Sequence, residues 1–164
     1  MADTPNFDDA NLALRLYEIR RETELRKARS MVGELLDGAP WEAVEKIATW
    51  GHPENAHFRQ VTSYWEIVAS FVNRGIFHPD VYLDTCGEAL YTFSVFKPHL
   101  ANLRKESPRF LVQTEQIVNE HPALKERVDQ IDAARAEYFA SEAAKKAPAK
   151  PKAKSSRRLA KSSK

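Results

Sequence analysis

The chain has 164 residues, 43% of them apolar, with a net charge of +2, which suits one domain with a real core and a tail rather than two domains. A single cysteine, Cys86, rules out an internal disulfide framework and fits a reducing cytoplasm, while the acidic start MADTPNFDDAN lacks the pattern of a signal peptide. The longest apolar block, IVASFV at 67–72, falls far short of the roughly 20 residues of a membrane span, so the expectation is a soluble cytoplasmic protein without a transmembrane segment.

Asp8 or Asp9 is placed to cap a first helix that continues through ANLALRLYEIRRETELRKARSMVGELL. Its apolar spacing is regular at Leu12, Leu16 and Ile19 and again at Leu25, Ala28, Val32 and Leu35, but RRETE at 20–24 interrupts it. Either the helix bends there and changes its buried face, or Thr23 caps a second helix. Gly38 and Pro40 end the segment, and Pro40 opens a short helix, WEAVEKIATW.

From Ala56 to Arg74, Phe58, Val61, Trp65, Val68 and Val72 recur at steps of three and four, widened by Tyr64, Ile67 and Phe71. So broad a stripe predicts a central helix packed on several neighbours, ended by Gly75 in a left-handed conformation. A long seam follows at Tyr82, Cys86, Ala89, Phe93, Phe96, Leu100 and Leu103, with a kink expected at Pro98. FLVQTEQIVNEH then predicts a short helix, and Pro122 starts another with Leu124, Val128, Ile131 and Tyr138 inward.

Composition changes near Ala143. From Lys145 onward there are nine basic residues and no acidic ones, so residues 1–144 carry 16 basic against 23 acidic residues, a net of −7. An acidic body therefore carries a cationic end, which is too poor in large apolar side chains to offset its ordering entropy and is expected to be disordered. The expected organisation is a flexible N-terminus at 1–8, an all-α bundle of five or six helices at 9–142, and a Lys/Ala/Pro/Ser-rich tail at 143–164.

Few motifs carry chemistry. His78-Pro79-Asp80 matches the ATPase-stimulating tripeptide of J-domain co-chaperones, but the preceding WEIVASFVNRG is not basic, and proline followed by an acid is how helices commonly begin. Glu54 and His57 have the i, i+3 spacing of half a di-metal bundle site, yet no second Glu-x-x-His exists to complete it. Asp84 and Glu88 lie one turn apart, and Glu66 could reach them from the neighbouring helix to form a carboxylate pocket for a cation, a small ligand or acid-base work. Cys86 lies in the inward seam without a basic neighbour and reads as a packed thiol. With no phosphate loop, zinc-type cysteine pairs or serine elbow, no catalytic residue and no cofactor is assigned, and the balance tilts away from an enzyme.

The basic tail is the strongest functional clue. KKAPAKPKAKSSRRLAKSSK resembles linker-histone-like tails, and Lys145, Lys146, Lys150, Lys152, Lys154, Arg157, Arg158, Lys161 and Lys164 are candidates to bind nucleic acid or another polyanion through phosphates. The bundle itself is expected to contact a protein partner or a second copy of the chain. FRQVTSYWEIVASFVNRGIFHPDVYLDTCGE, with LRLYEIRRETELRKAR upstream and KPHLANLRKE downstream, resembles a family of small uncharacterised all-helical bacterial proteins over about residues 9–139. The resemblance implies an all-helical fold and a bacterial source, assigns no activity, and leaves the tail outside it. The function expected is a protein-interaction or scaffold module whose tail binds nucleic acid without sequence readout. The alternatives are a purely self-associating or partner-binding bundle, and a ligand-binding protein or enzyme using the carboxylate pocket.

Overall fold

A computed structural model describes residues 4–146, and the rest of the tail lies outside the described residues. The described chain is all-α: α1 (Phe7–Arg20), α2 (Thr23–Met31) extended by a π-helical turn (Val32–Leu36), α3 (Trp41–Ala48), α4 (Asn55–Asn73), α5 (Pro79–Thr85), α6 (Gly87–Phe96), α7 (Leu100–Glu106), α8 (Val112–Glu120) and α9 (Pro122–Lys146). These nine segments exceed the helix number expected because two long stretches are broken, and α9 runs on past residue 142.

The first break falls at the RRETE interruption. α1 stops at Arg20, and α2 begins at Thr23 with Glu22, not Thr23, accepting hydrogen bonds from the amides of Glu24 and Leu25. The cap of α1 is Asn6 rather than Asp8 or Asp9: its side chain accepts from the amides of Asp8 and Asp9, while Asp9 answers the Asn6 amide in a capping box. The second break is at Cys86, where α5 gives way to α6 at Gly87, a poor helix former. Pro98 behaves as expected, interrupting the seam with a 3₁₀ turn, Lys97–His99, between α6 and α7.

α4 is the central helix. It packs on α2, α3 and α8 and buries Phe58, Val61, Trp65, Val68 and Val72, as its wide stripe predicts. Gly75 ends that segment at φ 67°. The seam from Tyr82 to Leu103 is wholly buried inside the monomer. Phe77 and Phe96, both at 0% exposure, each contribute about 1.5–3 kcal/mol of burial. Phe58, Phe96 and Phe110 form a clasp in which Phe58 stacks on Phe110 at 5.6 Å and Phe96 meets both edge-on, locking α4, α6 and the approach to α8 together.

Four residues expected inside are exposed: Ile19, Leu35, Ile67 and Tyr138. The π-helical turn explains Leu35, since one extra residue in the turn rotates the following positions and brings Leu36 into the core instead. Near the end of α9, Phe139 rather than Tyr138 packs inward, against Gly38.

Candidate functional site

Glu66, Asp84 and Glu88 are not gathered into one pocket. Glu66 projects from α4 to the start of α8, where it accepts from the Gln113 amide at 2.6 Å, the Thr114 amide at 3.1 Å and the Thr114 hydroxyl at 2.9 Å. That helix has no side-chain cap of its own, and its N-cap residue, Leu111, sits at φ 49°. Glu66 is therefore a cap supplied from another helix, satisfying amides that would otherwise lack partners.

Glu88 turns the other way. Arg29 of α2 grips it with two guanidinium nitrogens, Arg20 of α1 approaches to 3.9 Å, and a further Arg29 nitrogen donates to the Arg20 carbonyl at 3.1 Å. One carboxylate thus holds the last turns of α1 and α2 and the first turn of α6 together. Asp84 is exposed on α5.

Glu54 and His57 do meet, Nδ1 to Oε2 at 2.8 Å, and Glu24 of α2 stands 3.6 Å from the far ring nitrogen. The Glu54 hydrogen bond, aided by Glu24 and opposed by burial, holds the imidazole pKa above its ordinary value. Among the described residues no group of three or more His, Cys, Asp or Glu side chains is arranged to hold a metal ion. His78 caps α5, accepting from the Asp80 amide at 3.2 Å, so His78-Pro79-Asp80 is a helix start. Of the tail candidates, Lys145 is exposed and pairs with Glu142 at 2.7 Å, while the Lys146 side chain and Lys150 to Lys164 lie outside the described residues.

Two polar centres escaped the sequence reading. Asp9 is buried and, besides closing the capping box, accepts from the His78 amide at 2.7 Å, tying α1 to the entry of α5. Asp37 accepts from Arg135 at 2.8 Å and from the Tyr91 hydroxyl at 2.7 Å, while Arg135 also donates to the Ser94 carbonyl at 2.9 Å. Burial pushes the Tyr91 phenol well up, and its bond to Asp37 adds to this. These contacts link α9, the last helix among the described residues, to the end of the π-helical turn after α2 and to α6. Asp9 is marked locally only as a helix cap, and neither long-range contact has a local signal, because the partners are 69 and 98 residues apart.

Among the described residues one largely apolar cleft, of about 310 Å³, lies between α1 and α4. α1 contributes Leu16, Tyr17 and Arg20, α4 contributes Tyr64 and Trp65, and Cys86 closes one side. The Tyr64 hydroxyl donates to the Leu16 carbonyl at 2.8 Å, and burial raises its pKa to about 12. Burial likewise raises the Cys86 thiol, so it is held protonated and unreactive at neutral pH. Trp65 Nε1 is buried without a hydrogen-bond partner. The outward side of α1 carries Phe7, Leu14 and Tyr17, exposed by 78%, 65% and 50%, and Leu14 and Tyr17 also line the cleft.

The geometry defines an all-helical domain whose buried polar side chains fasten helices to one another. Residues 7–121 match the model of the family described as Domain of unknown function (DUF4760), and the chain belongs to that family. Comparison with curated proteins and with solved structures found no match. All of α9 and the basic tail fall beyond the matched segment. Among the described residues no helix is long and apolar enough to cross a membrane.

Proposed function

We propose that the domain is an interaction module that pairs with a second copy of itself through the outward face of α1, and that the basic tail tethers the pair to nucleic acid. The observation that carries the first part is the row Phe7, Ala10, Leu14 and Tyr17, all exposed and spaced three and four apart on one helix. That is the spacing of a two-helix seam, and it occurs on a helix whose opposite side is already packed. The Tyr82 to Leu103 seam cannot serve, because it is spent inside the monomer.

Charge favours an antiparallel pair. α1 begins with Asp8 and ends with Arg20, and Arg15 and Arg21 are also near its basic end, so antiparallel copies set acidic and basic ends together and align their dipoles favourably. A seam of 14 residues is about 21 Å long and buries little surface, so the expected Kd is on the order of 10–100 µM.

Sedimentation equilibrium over a concentration series tests this. Wild type is expected to shift toward dimer, while Phe7→Glu, which places an acid in the first turn where the helix dipole tolerates it, remains monomeric. A wild-type monomer throughout the series contradicts the reading. For the tail, the full chain should bind DNA with a steep salt dependence that residues 1–144 lack, because nine cations displace counterions. Equal, salt-insensitive retention of both chains removes the tether.

A further inference from the structure

The cleft between α1 and α4 combines an apolar lining with an imbalance of charge at one edge. Arg20 and Arg29 share the single carboxylate of Glu88, and Arg29 holds both of its oxygens. Arg20 stands off at 3.9 Å, lies over the Tyr17 ring at 5.0 Å, and lines the cleft. Two guanidinium groups on one carboxylate leave a surplus positive charge, and Arg20 is the member able to turn toward a ligand. The rest of the wall is Leu16, Tyr17, Trp65 and the protonated Cys86, with Ala13 the smallest side chain along it.

The geometry points to a binding site for a small amphipathic monoanion, a medium-chain carboxylate, with its chain along Leu16, Trp65 and Cys86 and its head on Arg20. The volume of about 310 Å³ lies at the lower end of ligand pockets, which run from about 300 to 1,000 Å³. Ala13 and Arg20 are separated by about 10 Å along the helix axis, a length that a chain of about eight to ten carbons spans. Such a ligand puts apolar surface on apolar walls and supplies the negative charge that the arginine pair lacks. Leu14 and Tyr17 belong both to the walls of the cleft and to the pairing row of α1, so ligand and second copy compete for this face, while Phe7 belongs to the pairing row alone.

Full-length protein titrated with decanoate, decanol and acetate and followed by calorimetry provides the test. Decanoate is expected to bind one per chain, whereas acetate does not bind. Arg20→Gln should weaken decanoate about tenfold, the size of one charge-assisted contact, and leave decanol unchanged. Ala13→Phe, which fills the wall, should abolish both, with circular dichroism establishing that the variant is folded. Should Ala13→Phe unfold, the Arg20→Gln arm decides alone. Absence of saturable decanoate binding overturns the proposal, as does binding that Arg20→Gln or folded Ala13→Phe leaves intact. Phe7→Glu, which removes a pairing residue outside the walls, should bind decanoate at least as tightly as wild type does, which separates failure of this site from failure of the α1 pairing.

Discussion

Replacing Glu66 with alanine removes three hydrogen bonds at once, those from the Gln113 amide and from the Thr114 amide and hydroxyl. Losing an N-cap costs about 1 kcal/mol, and a carboxylate acceptor raises the cost of each charge-assisted bond. The left-handed Leu111 adds roughly 1–2 kcal/mol of backbone strain that α8 sustains only while its first turn is held. Solvent reaches part of this site and can replace some of the lost bonds, so the expected loss for Glu66→Ala is about 2–3 kcal/mol, or about 4–12 °C in Tm for a domain of this size. Glu66→Gln should cost about half as much, because one amide oxygen still accepts but the charge is gone. Urea unfolding followed by circular dichroism reads both, with exposed Asp84→Ala as a control expected within about 0.5 kcal/mol of wild type. A Glu66→Ala loss below about 0.5 kcal/mol would refute the capping role and return Glu66 to the pool of residues free for function.

Glu88→Ala leaves the Arg29 and Arg20 guanidiniums partly buried without their carboxylate, and a loss of about 1–2 kcal/mol is expected. The double change Arg29→Ala with Glu88→Ala should cost less than the sum of the singles, and strict additivity in that cycle would argue that the pair is solvated and inert. His57 has a raised folded pKa, so its contribution is fully present below the unfolded value near 6.5 and is lost as pH rises through the folded value. The urea midpoint of wild type should therefore drop relative to His57→Gln across that window, and an NMR titration placing the imidazole below 6.5 would reverse the sign. Gly38→Ala meets both a φ of 71° and the Phe139 ring, 2.6 Å from the added carbon, so it should destabilise by more than about 1 kcal/mol and loosen the end of α9, as hydrogen exchange of α9 amides would reveal.

Legibility followed the range of the physical signal. Helix type, the α4 stripe, the Gly75 stop, the Pro98 interruption and the helix start at His78-Pro79-Asp80 are local, depending on periodicity and on residues within a turn of one another. The inward placement of Cys86 was local in the same sense. Leu35 was misplaced because a single inserted residue in a π-helical turn, which no sequence period records, shifts the face by about 100°. The Thr85 to Gly87 break was visible only as a glycine within a seam otherwise regular enough to mask it.

The polar residues divide the same way. Asp84 and Glu88 were singled out because they are neighbours in sequence, and Glu66 because its helix precedes theirs. What decides their roles is where distant partners stand: α8, 47 residues after Glu66, and Arg29, 59 residues before Glu88. The same holds for Asp9 and Asp37, whose chemistry is set by amides and guanidiniums that only the packed helices bring near.

The pairing of α1 is tested most directly by disulfide trapping. In an antiparallel seam Ala10 of one copy faces Leu14 of the other, whereas a parallel seam sets Ala10 against Ala10. A mixture of Ala10→Cys and Leu14→Cys chains is predicted to oxidise to a covalent dimer faster than either chain alone, with buried Cys86 taking no part. Dimer forming fastest from Ala10→Cys alone, or no dimer from the mixture at concentrations above about 100 µM, would contradict the account.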